Sequence, residues 1–115
     1  MAWKFRGAGA LWLASTALLA QAPVQAQDLP TFNLLIRAGR FVPATLEVPA
    51  HTKFRLQIRN EGPGPEEFES LELRKEKVLA PGASSFLIFQ PLQPGSYKFF
   101  GEFHPATAQG QLVAK

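Results

Sequence analysis

Short segments in which apolar and polar residues alternate make up most of the chain after residue 30. The clearest covers residues 53–59, where Phe54, Leu56 and Ile58 share one face and lysine, arginine and glutamine occupy the other. Residues 31–37 alternate in the same way. A period of two is typical of a strand with one face in the core and one in water. No apolar period of 3.6 continues for ten residues, so the pattern predicts β-structure.

Proline and glycine separate these segments at intervals typical of all-β domains. Turn signals fall at residues 38–40, 49–52, 60–65, 80–82 and 91–95, with further extended runs at 41–48, 66–73, 84–89, 97–100 and 110–114. The charged residues 74–77 are predicted to form a turn or a short edge. About seven short strands predict an all-β fold, a Greek-key β-sandwich.

The first 26 residues have the three parts of a secretory signal peptide. Lys4 and Arg6 precede an apolar run at residues 8–20, and Val24-Gln25-Ala26 forms a cleavage site. The run is shorter than the roughly 20 residues that span a bilayer, although an uncleaved anchor is the alternative. We expect cleavage to release one domain, residues 27–115, into the bacterial periplasm without stable membrane insertion.

The charge of that domain excludes some classes of function. Loss of Lys4 and Arg6 leaves 10 of the 12 lysines and arginines against nine acids, so no basic excess indicates nucleic-acid binding. The chain has no cysteine, which excludes disulfides, thiolate chemistry and iron–sulfur clusters. The sequence also contains no HExxH motif or phosphate-binding glycine loop.

Several segments, taken in order, resemble the cupredoxin family. They are Phe41-x-Pro43-x-x-Leu46-x-Val48-Pro49-Ala50, Phe54-Arg-Leu-Gln-Ile-Arg-Asn60, Pro94-Gly95-Ser96-Tyr97-Lys-Phe-Phe and Gly110-Gln-Leu-Val. The resemblance covers essentially all of the chain after the signal peptide. It implies a cupredoxin-like β-sandwich that binds a metal at one end.

The chain departs from the blue-copper pattern of two histidines, one cysteine and an axial methionine. Glu66-Glu67-Phe68 stands where the first histidine is expected, and Gly101 where the cysteine is expected. Ala108-Gln109 replaces the methionine, and only the second histidine is kept, as His104. Electron transfer through a copper–thiolate bond is therefore excluded.

Residues 67–78, Pro81-Gly82 and residues 97–105 are similar to small periplasmic cupredoxin-like proteins associated with bacterial ferrous-iron uptake. That resemblance implies a domain that binds copper or iron beside an iron permease or another periplasmic metal-binding protein. It also implies a role in oxidising ferrous iron, so whether the protein is an enzyme is left open.

The predicted metal site consists of Glu66, Glu67, Glu102 and His104. In a sandwich, the loop after residues 53–59 and the loop at 101–109 would lie side by side. Carboxylates with one imidazole suit iron, Cu(II) or Mn(II) better than Cu(I). Strand parity places Glu66 on the face of Phe68, which favours Glu66 if Phe68 is core, whereas the family resemblance favours Glu67. Both alternatives stay open.

Two other functions compete with simple metal binding. The first is a metal-free interaction module that binds another periplasmic or membrane protein. The second is a true ferroxidase. The polar face formed by Lys53, Arg55, Gln57 and Arg59 is expected to be solvated, and it could also dock an acidic partner.

Overall fold

The computed structural model of the chain describes residue 9, residues 14–17 and residues 28–115. The cleavage motif Val24-Gln25-Ala26 and most of the predicted signal peptide lie outside the described residues, so the boundary after residue 26 stays a prediction. In the described ranges, no helix has the length and apolar character needed to cross a membrane.

Nine strands form the described domain. They are β1 Thr31–Arg37, β2 Arg40–Val42, β3 Thr45–Val48, β4 Phe54–Asn60, β5 Glu66–Ser70, β6 Lys75–Leu79, β7 Ser84–Phe89, β8 Gly95–Phe100 and β9 Gln109–Ala114.

The strands form two sheets, in the orders β2-β1-β4-β7 and β3-β9-β8-β5-β6. β1 pairs parallel to β4, and β3 pairs parallel to β9, while the remaining pairs are antiparallel. The inner faces of both sheets supply one continuous apolar core. The predicted all-β sandwich is confirmed.

Two local differences raise the strand count from about seven to nine. The predicted run at residues 41–48 is divided at Pro43-Ala44, so that β2 pairs in the first sheet and β3 in the second. Pro43 has no N–H to continue a ladder, and the chain changes sheets there. The charged segment predicted as a turn or short edge contributes to β6, an edge strand that pairs with β5.

Stacked and edge-to-face phenylalanines fill the centre of the core. Phe41 and Phe68 each lie 4.8 Å from Phe99, measured between ring centroids, and Phe54 stacks on Phe89 at 4.9 Å. All five are buried. Such pairs contribute about 0.5–1.5 kcal/mol each beyond their buried area, and they hold β5 and β8 in place beneath the predicted site.

The buried side chain of Asn60 fixes the loop that leads from β4 to β5. Its Nδ2 donates to the carbonyl oxygens of Gly64 at 2.8 Å and Leu79 at 3.1 Å, and its Oδ1 accepts from the Gly62 N–H at 2.7 Å. Two of these bonds satisfy backbone groups inside the glycine- and proline-rich loop, and the third ties Asn60 to the end of β6. The loop therefore delivers β5, and with it Glu66, to a defined position.

Candidate metal centre

A buried carboxylate and a half-exposed imidazole meet at one end of the sandwich. Glu66 is completely buried, whereas the side chain of His104 is 49% exposed. His104 Nδ1 lies 2.9 Å from Glu66 Oε1 and 3.1 Å from Oε2. Nδ1 carries at most one hydrogen, so the two carboxylate oxygens share a single donor. Oε1 is buried, and among the described residues it has no partner besides this nitrogen.

Strand alternation explains why Glu66 reaches His104. Glu66 and Phe68 are separated by two positions in β5, so both point into the sandwich. Phe68 is fully buried in the core. Of the two alternatives left by the sequence, the structure therefore brings Glu66, and not Glu67, into contact with the imidazole.

A compact loop between β8 and β9 holds His104. The His104 carbonyl oxygen accepts from the N–H groups of Thr107 at 3.1 Å and Ala108 at 2.7 Å. The loop closes on itself where the Gly101 N–H donates to the Ala108 carbonyl at 3.0 Å. These backbone bonds set the position of the His104 Cα independently of any ligand.

The turn between β1 and β2 supports the other side of the imidazole. Gly39 has φ of +73°, and a Cβ placed on it would lie 2.7 Å from His104 Cγ and 3.0 Å from His104 Cβ. Thr107 Oγ1 also donates to the Gly39 carbonyl at 2.7 Å. Sequence reasoning treated Gly39 only as a strand break. The contact joins positions far apart in the chain, and no local signal marks it.

Glu67 lies on the opposite side of β5 and has a different role. It is 3% exposed, and its Oε1 accepts the backbone N–H of Glu102 at 3.1 Å. Its carboxylate also groups with those of Glu69 and Glu76, with ligand atoms within 4.8 Å of one another. Hydrogen bonding to Glu67 and the negative charge of Glu67 raise the pKa of Glu76.

The side chain of Glu102 is exposed, and Glu102 meets Glu67 through its backbone. The four predicted ligands therefore form two contacts, Glu66 with His104 and Glu67 with the Glu102 backbone. Within residues 28–115, the acids around Glu67 are the one set of three potential ligand side chains that lies close together.

A sequence model of the cupredoxin-like domain matches residues 8–114. The chain belongs to the cupredoxin-like domain family. An uncharacterized protein of Rickettsia prowazekii (strain Madrid E) is 46% identical over 81 residues, which are 70% of this chain. The chain covers 65% of the length of that relative.

Solved structures support the cupredoxin-like fold. Reduced auracyanin from Roseiflexus castenholzii matches with a TM-score of 0.63 at 14% identity, over 74% of this chain and 96% of auracyanin. A purple cupredoxin from Nitrosopumilus maritimus matches with a TM-score of 0.54 at 19% identity, over 72% of this chain and 98% of the purple cupredoxin.

The third similar structure is the metal-binding domain of a Streptococcus pneumoniae D39 Cu(I)-exporting P-type ATPase, CopA, with Cu(I). It matches with a TM-score of 0.61 at 13% identity, over 74% of this chain and 84% of that chain. At such low sequence identities, the similarity to these three structures shows a shared fold only. Because this cupredoxin-like chain has no cysteine, it cannot form a blue-copper thiolate site.

Proposed function

We propose that this protein is a periplasmic metal-binding protein that takes copper or iron at Glu66 and His104 and acts as an accessory in iron uptake. One observation carries the proposal. The carboxylate of Glu66 is completely buried, and among the described residues both of its oxygens share one close polar partner, the imidazole nitrogen of His104 at 2.9 and 3.1 Å. A buried carboxylate whose two oxygens share one donor is incompletely satisfied, which is costly, and a cation bound there would compensate it.

The donor set fits Cu(II) or iron. Imidazole nitrogen and carboxylate oxygen are borderline and hard ligands, and residues 28–115 contain no cysteine or methionine that would favour Cu(I). The half-exposed side chain of His104 leaves a path from solvent. The exposed carboxylate of Glu102, two residues from His104, is a further candidate ligand. Glu67 would keep that loop in place through the Glu102 N–H.

Two lines support the wider role. Copper is named for the structurally similar ATPase domain, and the purple cupredoxin shares the fold. The link to ferrous-iron uptake and to an iron permease rests on the resemblance of residues 67–78, Pro81-Gly82 and residues 97–105, and the link to export rests on the signal-peptide pattern. A bound metal would supply redox or Lewis-acid chemistry. Ferroxidase turnover would in addition need an electron acceptor.

Metal titration of the 115-residue chain tests the site. We expect one equivalent of Cu(II), or of Fe(II) under argon, to bind, measured by calorimetry and by paramagnetic resonance. Glu66→Gln combined with His104→Ala should weaken binding by at least about 100-fold. The matched control is Glu72→Gln with His51→Ala, one exposed acid and one exposed turn histidine, and it should bind like the wild type.

Unchanged binding in the Glu66→Gln, His104→Ala variant would overturn the assignment of the site. A wild-type chain that folds stably yet binds neither metal would favour the alternative function, a metal-free module that binds another protein. An intense visible thiolate-to-copper band would contradict the ligand set itself.

A further inference from the structure

The outer face of the β2-β1-β4-β7 sheet carries several arginines and no acid from its own strands. None of its four strands contains an aspartate or glutamate, whereas the strands of the other sheet contain five glutamates. Pairing and alternation place a mixed basic and apolar set outward on this face: Arg37, Arg40, Val42, Arg55, Arg59 and Phe86. We call this set the basic face.

Neutral neighbours hold two of the arginines in place. The Arg55 guanidinium lies 4.1 Å from the centroid of the Phe86 ring, and its Nη2 donates to Gln57 Oε1 at 3.1 Å. Arg55 Nε is buried and has no hydrogen-bond partner. Arg59 Nη1 donates to Ser84 Oγ at 3.3 Å. These contacts orient the guanidinium groups of Arg55 and Arg59 without neutralising them, so their charges can interact with another molecule.

Glu61 neutralises part of this face, and its negative charge also interacts with Arg59. Glu61 pairs with Arg37 at 2.7 Å, and this bond raises the pKa of Arg37 and lowers that of Glu61. The ion pairs of His104 with Glu66 and of Lys115 with Glu47 do not involve Arg40, Arg55 or Arg59. A planar guanidinium fork matches a carboxylate in geometry as well as in charge.

The composition and size of the basic face fit a weak protein interface. Phe86 is 43% exposed and Val42 is 42% exposed, and arginine with aromatic side chains is enriched at protein interfaces. Neighbouring strands lie about 4.8 Å apart, and each residue of a strand adds about 3.3 Å. Over the four strands of the sheet, these dimensions give the basic face an area on the order of 400 Å². A stable interface needs about 800 Å² per partner, so the face suits a transient complex.

A lipid surface fits this face less well. The apolar side chains lie between arginines and amides on a pleated sheet, with Asn33 and Gln57 among them. Insertion into the lipid boundary favours an apolar surface with the cations at its rim, and here the two are interleaved.

We propose that the basic face is a docking surface for an acidic surface of another protein, in a transient complex. The proposal does not depend on a bound metal. The face ends at the turn where Gly39 packs on His104, so a docked partner would lie next to the candidate metal centre.

Amide resonances of the full chain, followed during titration with a Glu-Glu-Trp-Glu-Glu peptide, test the proposal. We expect shifts concentrated at Arg40, Arg55, Arg59 and Phe86. Affinity should fall steeply as salt rises from about 0.01 M to about 1 M, because the Debye length shrinks from about 30 Å to about 3 Å. The matched Lys-Lys-Trp-Lys-Lys peptide should cause no shifts on this face.

Charge-removing variants locate the effect. Arg55→Gln with Arg59→Gln should weaken peptide binding by about 10-fold or more. Arg74→Gln with Lys98→Gln removes two exposed cations outside the basic face and should leave binding unchanged. Shifts centred on another surface, or equal loss in both double variants, would overturn the proposal. So would binding to phosphatidylglycerol vesicles through this face without binding to the acidic peptide, since that result would make it a lipid-binding surface.

Discussion

Replacing Gly39 with alanine should displace His104 and loosen its contact with Glu66. The new Cβ would lie 2.7 Å from His104 Cγ and 3.0 Å from His104 Cβ, where ordinary contacts begin near 3.4 Å. Rotation about the Cβ–Cγ bond moves neither atom, and rotation about the Cα–Cβ bond leaves His104 Cβ at 3.0 Å. The backbone of the His104 loop or of the β1–β2 turn must therefore move, by roughly 0.7 Å to restore ordinary contact.

The expected loss of stability has two parts. Gly39 has φ of +73°, and an alanine in that left-handed region costs about 1–2 kcal/mol. Movement of His104 removes the hydrogen bond to a completely buried carboxylate, which costs about 1–3 kcal/mol more. The free energy of unfolding should fall by about 2–5 kcal/mol in total.

Gly82 offers a matched control for the backbone part. It has φ of +79°, and a Cβ placed on it would meet nothing within 4 Å. Gly82→Ala should therefore lose only about 1–2 kcal/mol. In thermal unfolding without metal, Gly39→Ala should melt at least about 4 °C below Gly82→Ala, at about 4–8 °C per kcal/mol for a domain of this size.

A His104→Gly background isolates the steric part, because it removes both the imidazole and the Cβ that would lie 3.0 Å from the new methyl group. In that background, Gly39→Ala and Gly82→Ala should destabilise the domain equally, and the coupling between positions 39 and 104 should be about 1–3 kcal/mol. Cu(II) affinity should fall in Gly39→Ala and not in Gly82→Ala. Equal melting temperatures of the two glycine variants in the wild-type background would refute the assignment of Gly39 as a support for His104.

Two further predictions concern the surroundings of the site. Asn60→Ala removes two hydrogen bonds to the loop before β5 and one to the end of β6, so urea unfolding should show a loss of about 3 kcal/mol, and a loss below about 1 kcal/mol would contradict the structure. Glu67 raises the pKa of Glu76 above its ordinary 4.5. The stability linked to this carboxyl is therefore fully present below that value and is lost as the pH rises through the raised pKa. Glu76→Gln should raise the melting temperature at pH 7 and not below about pH 4, and a pH-independent difference would exclude this cause.

Alternation and turn residues were enough to predict the fold. The predicted strand at residues 84–89 has the same bounds as β7, because both of its ends are marked by turns. For the charged residues 74–77 the sequence left a turn and a short edge open, and the structure contains both. Arg74 lies in a turn, and residues 75–77 begin the edge strand β6. Low strand propensity could not decide between the two, since pairing with β5 supplies the stabilisation of this strand.

The site was less predictable than the fold. Strand parity predicted that Glu66 shares a face with Phe68. Parity alone could not tell which face of β5 points into the core, and burial does not separate the two faces either, because Glu67 on the other face is also buried. The partner of Glu67 is a backbone N–H, and residue types give no signal for such a contact. The support of His104 by Gly39 likewise depends on how two distant turns meet.

Gly101 shows that the candidate centre is not a blue-copper site that lacks one ligand. A Cβ placed on Gly101 would lie 2.6 Å from the Glu67 carbonyl oxygen and 3.2 Å from Ala108 Cβ. The Glu67 backbone belongs to β5, which is paired on both sides, so it yields less easily than a side chain. Gly101→Cys should therefore cost about 1–3 kcal/mol through overpacking. With Cu(II) it should not give the intense visible absorption of a copper–thiolate bond, whereas Gly64→Cys, at a glycine with open space around its Cβ position, should fold like the wild type. A strong visible band in Gly101→Cys, without loss of stability, would mean that β5 and the His104 loop separate more readily than their packing indicates.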